Sequence, residues 1–271
     1  MNPRLRPKVE AVFGILVLLT PRKAVVEGSE MLLAKDRICI QMALSGTWEP
    51  RNTRLLRETI REGDIVVDIG AHIGYHTLIL SKLVGDRGHV YAFEPDALTF
   101  SLLRKNVEMN GCRNVTLERK GLSDKSGSAF LGGWTLVSAA GKPEHDPNDE
   151  MKQVEILTLD DFFGKDIPEI AFMKIDIEGH EINAVRGAVE TLRRSKGVKI
   201  LTEFDPFRWL KGGINPREYL DLLSQLGFRI SVVDPTRDEM ETIQDFDEML
   251  RRYNQMGRSL DLFCVRDSLA K

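Results

Sequence analysis

Several short apolar runs of the chain end in a carboxylate or a glycine-containing turn. Residues 65–67 run into Asp68 and a turn that holds Gly70 and Gly74, Glu94 ends a second run, and Asp176 ends a later one. In open α/β sheets, ligands bind in the crevice beyond the carboxyl ends of the parallel strands. These side chains are therefore the first candidates for a binding site.

The spacing in the first turn separates this chain from two common nucleotide-binding classes. No GxxxxGK[ST] segment is present, which excludes a P-loop, and no GxGxxG follows the first run. The pattern is instead Asp68-x-Gly70-x-x-x-Gly74. Glu94 follows at a distance along the chain at which an acidic side chain can accept hydrogen bonds from both ribose hydroxyls. We therefore expect a nucleoside without a pyrophosphate.

The dominance of acids at these positions favours a positively charged ligand. S-adenosylmethionine meets both demands, because it carries a ribose, an adenine, an ammonium and a sulfonium. The two glycines of the turn let the backbone approach its amino-acid tail. Asp68 is expected to hold the ammonium directly or through water, and Leu122, Ser123 and Asp124 are expected to meet the adenine edge.

The elements that must position these residues alternate between strand and helix. We predict strands at 65–69, 89–95, 115–118, 171–176, 198–203, 228–233 and 260–265. We predict helices over 78–84, 98–107, 182–192 and 219–226. Between the third and fourth of these strands, residues 128–131 and 153–157 are expected to pair as a hairpin around an exposed polar loop at 141–150. Residues 205–216 are expected to form a loop. This order indicates a mostly parallel sheet with helices on both faces.

The N-terminal region carries an apolar run at residues 11–19. Nine helical residues span roughly 13 Å, which is too short for a bilayer core. We predict a helix packed on the domain. Peripheral membrane contact through residues 9–19, or a cleaved signal behind the basic residues 4–8, stays open as an alternative.

Composition excludes further classes. The chain has 271 residues, 42% of them hydrophobic and 29% charged, and a net charge of −3, which argues against a nucleic-acid partner. Its three cysteines lie far apart and form no CxxC, which fits a reducing compartment. A cytoplasmic location, with membrane association as an option, is expected.

Three segments carry a resemblance to a known family. Residues 67–75, 92–95 and 174–181 closely resemble the FkbM-type methyltransferases, and residues 46–50 and 201–203 fit the same pattern. His72 departs from the asparagine that is frequent at its position. The resemblance implies a class I Rossmann-like methyltransferase fold with a seven-stranded, mostly parallel sheet. The implied strand order is 3-2-1-4-5-7-6 with an antiparallel seventh strand.

The resemblance and the strand-end positions together define a predicted donor site. Its members are Glu49, Asp68, Gly70, Ala71, His72, Gly74, Glu94, Pro95, Leu122, Ser123, Asp124 and Asp176. The implied cofactor is S-adenosyl-L-methionine, and the implied reaction is methyl transfer, most often to oxygen. The acceptor is expected to be a small molecule, a glycan or a lipid headgroup.

Asp176, Glu178 and His180 are the predicted catalytic residues. Either His180 or Asp176 is expected to accept the proton of the acceptor, since a helix N-terminus would keep His180 neutral. The alternative is that His180 caps the helix or orders the loop. A metal held by these three residues and Glu181 is a further alternative, although no metal is expected.

Aromatic residues on both sides of the core could form the acceptor wall. Trp48 and Glu49 precede the core, and Phe207, Arg208 and Trp209 follow the fifth strand. Simple packing of these residues against the sheet is an equal alternative.

We therefore predict an S-adenosylmethionine-dependent O-methyltransferase. Residues 1–50 are expected to be an extension packed on the core, and residues 51–271 the methyltransferase domain. The alternatives are a nucleotide-binding oxidoreductase and a membrane-surface binding module.

Overall fold

The computed structural model describes residues 21–132, 135–137, 151–211, 213–234, 240–254 and 259–266. The predicted helix at residues 9–19 and the predicted loop at 141–150 lie outside these ranges. Among the described helices, none has the length and apolar character needed to cross a membrane.

The strands fall into three sheets. In chain order they are β1 (Lys23–Val26), β2 (Ser29–Leu32), β3 (Ile65–Ile69), β4 (His89–Phe93), β5 (Val115–Glu118), β6 (Gly121–Leu122), β7 (Gly127–Gly132), β8 (Thr135–Val137), β9 (Lys152–Leu157), β10 (Phe172–Ile175), β11 (Lys199–Phe204), β12 (Phe228–Val233), β13 (Met240–Thr242) and β14 (Leu260–Arg266).

The helices lie mostly between strands of the largest sheet. They are α1 (Arg37–Ser45), α2 (Pro50–Thr59), α3 (Tyr75–Val84), α4 (Ala97–Met109), α5 (Leu159–Phe163), α6 (Glu181–Arg186), α7 (Val189–Arg194), α8 (Pro206–Lys211), α9 (Pro216–Gln225) and α10 (Phe246–Asn254).

The central sheet confirms the predicted strand order and adds one strand. Its order is β5-β4-β3-β10-β11-β14-β12-β13. The first seven are the predicted 3-2-1-4-5-7-6 arrangement, and β14 is antiparallel to both neighbours. The prediction of seven strands is corrected to eight, because the short edge strand β13 pairs with residues 231–233 of β12. Only backbone pairing marks β13, since its sequence has no apolar run.

Helices cover both faces of this sheet, as predicted. Along β3, Val67 and Ile69 pack into one buried cluster with Ile182 of α6. The intervening Val66 points the other way and packs with Leu80 of α3. A strand buried on both faces needs such a continuous apolar run. The run therefore fixes β3 at the centre and sets its carboxyl end at the middle of the crevice.

The helix predicted over residues 182–192 is two helices. α6 ends at Gly187, and α7 begins two residues later. A β-carbon at Gly187 would lie 1.9 Å from the carbonyl oxygen of Ser123, so only glycine permits this close approach. The apolar periodicity continues across the break, which is why the sequence indicated a single helix.

Three further segments are the predicted hairpin, the predicted loop at 205–216 and the residues of α10. The predicted antiparallel pairing is confirmed, because β7 and β9 are neighbours in a second sheet of order β6-β9-β7-β8, but the two strands are not a hairpin, because β8 lies between them along the chain. The predicted loop at 205–216 is only partly a loop, because it contains α8. α10 was also not predicted, since its residues are mostly polar and charged.

The N-terminal elements pack directly on the sheet domain. Val26 and Met42 share a buried cluster with Ile73, Leu78 and Leu103 from the region of α3 and α4. The division of the chain at residue 50 stays a prediction.

Candidate functional site

The glycine turn follows β3 and needs glycine at its first position. Gly70 has φ +79°, and a β-carbon there would lie 1.9 Å from the backbone oxygen of Asp176. Its N–H donates to the carbonyl of Phe93, which ties the turn to the end of β4. Gly74, at φ +94°, leads into α3. The turn therefore runs close to two neighbouring strand ends and leaves its own backbone beside the crevice.

Glu94 is fixed at the end of β4 by two main-chain donors. The N–H of His72 donates to Oε2 at 3.0 Å, and the N–H of Asp96 donates to Oε1 at 2.9 Å. The side chain is 8% exposed, and burial raises its pKa to about 7 although both hydrogen bonds lower it. His72 reaches this geometry in the left-handed region, at φ +51°. A buried carboxylate held in this way can accept hydrogen bonds from a vicinal diol.

Lys174 of β10 is a buried cation among carboxylates. Its Nζ lies 3.2 Å from Asp176 Oδ2 and 3.8 Å from Asp68 Oδ1. Burial disfavours the charged amine, but the attraction of Asp176, Asp68 and Glu49 outweighs it and raises the pKa of Lys174. A buried charge is retained only when it is paired in this way.

Asp68 contacts Thr77 and Lys174. It is fully buried, and its Oδ2 accepts a hydrogen bond from Thr77 Oγ1 at 2.6 Å. Its other oxygen faces Lys174. Burial raises its pKa above the ordinary value. Asp68 therefore helps to hold Lys174, and its predicted contact with a ligand ammonium, direct or through water, stays a prediction.

A cluster of carboxylates lies beyond the ends of β10 and β11. Carboxyl oxygens of Asp176, Glu178 and Glu203 lie within 4.8 Å of one another. Burial and the charge of Asp176 raise the pKa of Glu203 to about 9. Burial likewise raises the pKa of Asp261, its partner across the sheet, to about 6. The metal alternative named a different set, since His180 and Glu181 lie outside this cluster.

A cavity of about 450 Å³ opens at this edge of the sheet. Seven predicted site residues line it, namely Gly70, Ala71, His72, Glu94, Pro95, Asp176 and Glu178. Glu49 lies next to it, with Oε2 3.7 Å from the ring nitrogen Nε2 of His76, which is a lining residue. The crevice at the strand ends is thus a real cavity with an acidic rim.

The predicted adenine contacts lie away from this wall. Leu122 belongs to β6 in the second sheet, and both it and Ser123 are buried. Ser123 Oγ contacts Asp124 Oδ1 at 3.1 Å and His180 Nε2 at 3.0 Å. The structure does not bring these three residues to the lining of the cavity, and their role in adenine binding stays a prediction.

His180 also lies away from the cavity. It precedes α6 and is 7% exposed, with its ring between Ser123 and the amide of Asn183. Burial lowers its pKa to about 4. Burial, and not the helix N-terminus, is therefore the main cause of a neutral imidazole at this position. This geometry favours the alternative in which His180 orders the loop.

Three residues of the site are absent from the predicted donor-binding and catalytic residues. Lys174 sits inside an apolar strand, where a lysine could have been noticed as out of place. Glu181 is fully buried, and its carboxylate accepts hydrogen bonds from the N–H groups of Ile177 and Gly179, which shapes the loop after β10. Lys152, 2.7 Å from Asp96, reaches the cavity from the second sheet.

The aromatic residues divide between wall and core. Trp48 lines the cavity, and its role as an acceptor wall stays a prediction. Trp209 instead is 1% exposed and packs against Phe204 and Tyr219, with ring centroids 5.2 Å away in each case. For Trp209 the packing alternative is the observed one.

A family model and several known proteins are similar to this chain. The family model of the methyltransferase FkbM domain matches residues 68–230. The hexuronic acid methyltransferase AglP of Haloferax volcanii is 27% identical over 187 residues, which cover 69% of this chain and 72% of AglP. Methyltransferase 1 of Beauveria bassiana is 26% identical over 153 residues, which cover 46% of this chain and 59% of that protein.

Solved structures with a similar course of the chain were also found. One is a SAM-dependent O-methyltransferase from Thermotoga maritima, with a TM-score of 0.49 and 14% identity. The match covers 91% of this chain and 86% of that one.

Proposed function

This chain belongs to the FkbM methyltransferase family, and we propose that it methylates a hydroxyl oxygen of a sugar. The family makes it an S-adenosylmethionine-dependent methyltransferase. The single observation that carries the finer proposal is the acidic rim of the cavity, where Asp176 and Glu178 face the same space as the glycine turn.

The residues present fit the donor. Gly70 lines the cavity and lets the turn pass close to the backbone of Asp176, where a β-carbon would clash, and Glu94 offers a fixed carboxylate to the ribose diol. The carboxylates near Lys174 suit a ligand that carries an ammonium and a sulfonium. We propose that Gly70, Ala71, His72, Gly74, Glu94, Pro95 and Asp176 form the donor site together with Glu49.

The reaction needs alignment and a place for one proton. S-adenosylmethionine, when bound, supplies a methyl group on a sulfonium leaving group. Alignment of two reactants can lower a barrier by about 7–11 kcal/mol. Lys174 holds Oδ2 of Asp176. We propose that Oδ1 of Asp176 accepts the hydroxyl proton of the acceptor as the oxygen attacks, while Glu178 orients the acceptor.

The charges around the cavity favour a neutral acceptor. Both lysines that line it are paired with carboxylates, Lys174 with Asp176 and Lys152 with Asp96. Among the described residues that line the cavity, neither lysine is left to pair with an acceptor carboxylate, which would meet the acidic rim, and like charges repel. AglP supports a sugar acceptor by its name, but the rim favours a sugar hydroxyl over a uronic acid carboxylate.

The remaining expectations concern the class of acceptor, membrane contact, the location and the oxidoreductase alternative. A small-molecule or glycan acceptor fits the family, and a lipid headgroup would present the same hydroxyls. Contact of residues 9–19 with a membrane and a cytoplasmic location stay predictions. An oxidoreductase is not favoured, since the family is one of methyltransferases.

The acceptor proposal is tested by the stability of the product. We would incubate the protein with methyl-labelled S-adenosylmethionine and a panel of neutral glycosides and uronic acids, and treat the products with mild alkali. Methyl ethers survive alkali and methyl esters do not. We expect label in alkali-stable products of neutral sugars. Label confined to alkali-labile products would overturn the hydroxyl proposal and leave the methyltransferase assignment intact.

A further inference from the structure

One buried hydroxyl joins the glycine turn to the N-terminal segment. Tyr75 begins α3 directly after the turn and is 4% exposed. Its hydroxyl donates to the carbonyl of Trp48 at 2.7 Å and accepts from the N–H of the same residue at 3.0 Å. The hydroxyls of Thr53 and Thr47 lie 2.9 and 3.2 Å away. The Tyr75 hydroxyl is thus hydrogen-bonded to both the main-chain N–H and the main-chain carbonyl of Trp48.

The segment held in this way forms part of the cavity. Trp48 lines it beside Tyr75 and His76. Glu49 follows in the left-handed region, at φ +44°, and its carboxylate accepts from Asn52 Nδ2 at 3.0 Å. A non-glycine residue in that region is strained and persists only where its surroundings enforce it. The contacts of Tyr75 and Asn52 supply that enforcement.

A third N-terminal element meets the same hydroxyl. Glu27, in the turn between β1 and β2, has Oε1 3.5 Å from the Tyr75 hydroxyl. Its Oε2 accepts from Arg57 of α2 at 2.6 Å. The β1–β2 hairpin, the segment at 47–49 and α2 therefore each have a residue close to the Tyr75 hydroxyl oxygen. All of them precede residue 68, where the match to the family domain begins, whereas Tyr75 lies inside the match.

We propose that the Tyr75 hydroxyl is a positioning group that holds Trp48 against the donor cavity, so that residues 47–53 are part of the donor site. The proposal rests on the proposed function only in taking this cavity as the place where the donor binds. Trp48 supplies an aromatic wall, and Tyr75 fixes the main chain that carries it. Without the hydroxyl, the N–H and the carbonyl of Trp48 lose a buried partner.

Tyr75→Phe tests this inference, with Tyr219→Phe as the matched control. Tyr219 is also buried and loses a hydroxyl bonded to a threonine, Thr202 Oγ1 at 2.9 Å, but it does not line the cavity. We would titrate each protein with S-adenosylhomocysteine by calorimetry. We expect Kd to rise about tenfold in Tyr75→Phe and to change less than twofold in Tyr219→Phe. Equal affinities of the two variants would overturn the inference.

A second pair of variants tests the route through Trp48. Trp48→Ala removes the wall but keeps the main-chain contacts of Tyr75. If Tyr75 acts by placing Trp48, adding Tyr75→Phe to Trp48→Ala changes Kd less than twofold. The same tenfold loss in both backgrounds would contradict that route.

Two further results keep the outcome decisive. Thr53→Val removes one partner of the Tyr75 hydroxyl, and we expect Kd to rise about threefold even if Tyr75→Phe does not fold. An unchanged Kd in Thr53→Val would then overturn the inference. Failure of the wild-type protein to bind S-adenosylhomocysteine would instead overturn the proposed function.

Discussion

At the scale of residues, the site is a balance between one buried lysine and the acids around it. Lys174 contacts Asp176 and Asp68, and Glu49 adds to the attraction that keeps it charged. The lysine offsets part of the negative charge of these two carboxylates. Burial and the nearby charge of Asp176 raise the pKa of Glu203 to about 9.

This arrangement separates Asp176 from His180 in a test of the proton acceptor. We expect Asp176→Asn to slow single-turnover methyl transfer about 10²–10⁴-fold, since proton acceptance by a positioned group contributes that much. His180→Gln should keep the rate within about threefold, because its ring faces Ser123 and not the cavity. Rapid-quench measurements with the donor already bound would check both. A slow His180→Gln with a fast Asp176→Asn would reverse the assignment.

Strand-end residues were predictable, and those fixed by packing were not. Gly70, Glu94 and Asp176 were found because a parallel sheet brings the ends of its strands together whatever the loops do. The direction of the His180 ring depends on Ser123, which is 57 residues away along the chain. No local sequence pattern indicates such a contact. The sequence could therefore place His180 near the site, but it could not show that the ring contacts Ser123 and does not line the cavity.

At the scale of elements, the order of the strands followed from the family resemblance, whereas the alternation of strands and helices indicated a mostly parallel sheet. The break between α6 and α7 followed from neither, because it depends on the approach of Ser123 to Gly187 in another part of the fold. The edge strand β13 likewise depends on pairing with β12 and has no apolar run of its own. Strands and helices that carry an apolar run were predictable. Features that depend on a contact with a distant part of the chain were not.

The glycine turn is the element on which donor binding depends most. Gly70 combines a positive φ with the approach of the Asp176 backbone. Gly63 offers a comparison, since it has φ +90° but nothing within 4 Å of an added β-carbon. An alanine strains the backbone at both positions, but only at Gly70 does it also push apart β3 and β10.

At the scale of the whole molecule, the buried acids should make stability depend on pH. The pKa of Glu203 is raised to about 9 in the folded protein, whereas the unfolded chain ionises it near 4.3. Between pH 7 and 8 the folded state therefore binds more protons than the unfolded state, so stability falls as pH rises. We expect a loss of about 1 kcal/mol, or about 2–4 °C in Tm.

Differential scanning calorimetry of the ligand-free protein at pH 7 and pH 8 would measure this loss. The histidines with lowered pKa are neutral in the folded protein but partly protonated in the unfolded chain at pH 7, so they offset a small part of this loss. Glu203→Gln should flatten the dependence. A Tm that rises from pH 7 to pH 8 would show that Glu203 is ionised in the folded protein.

Calorimetric titration with S-adenosylhomocysteine tests the central claim, that the cavity at the strand ends holds the methyl donor. We expect the wild-type protein and Gly63→Ala to bind one equivalent, Gly70→Ala to lose binding while it still unfolds cooperatively, and NAD to give no heat. Binding by Gly70→Ala with the wild-type affinity, or no binding by the wild-type protein, would contradict the account.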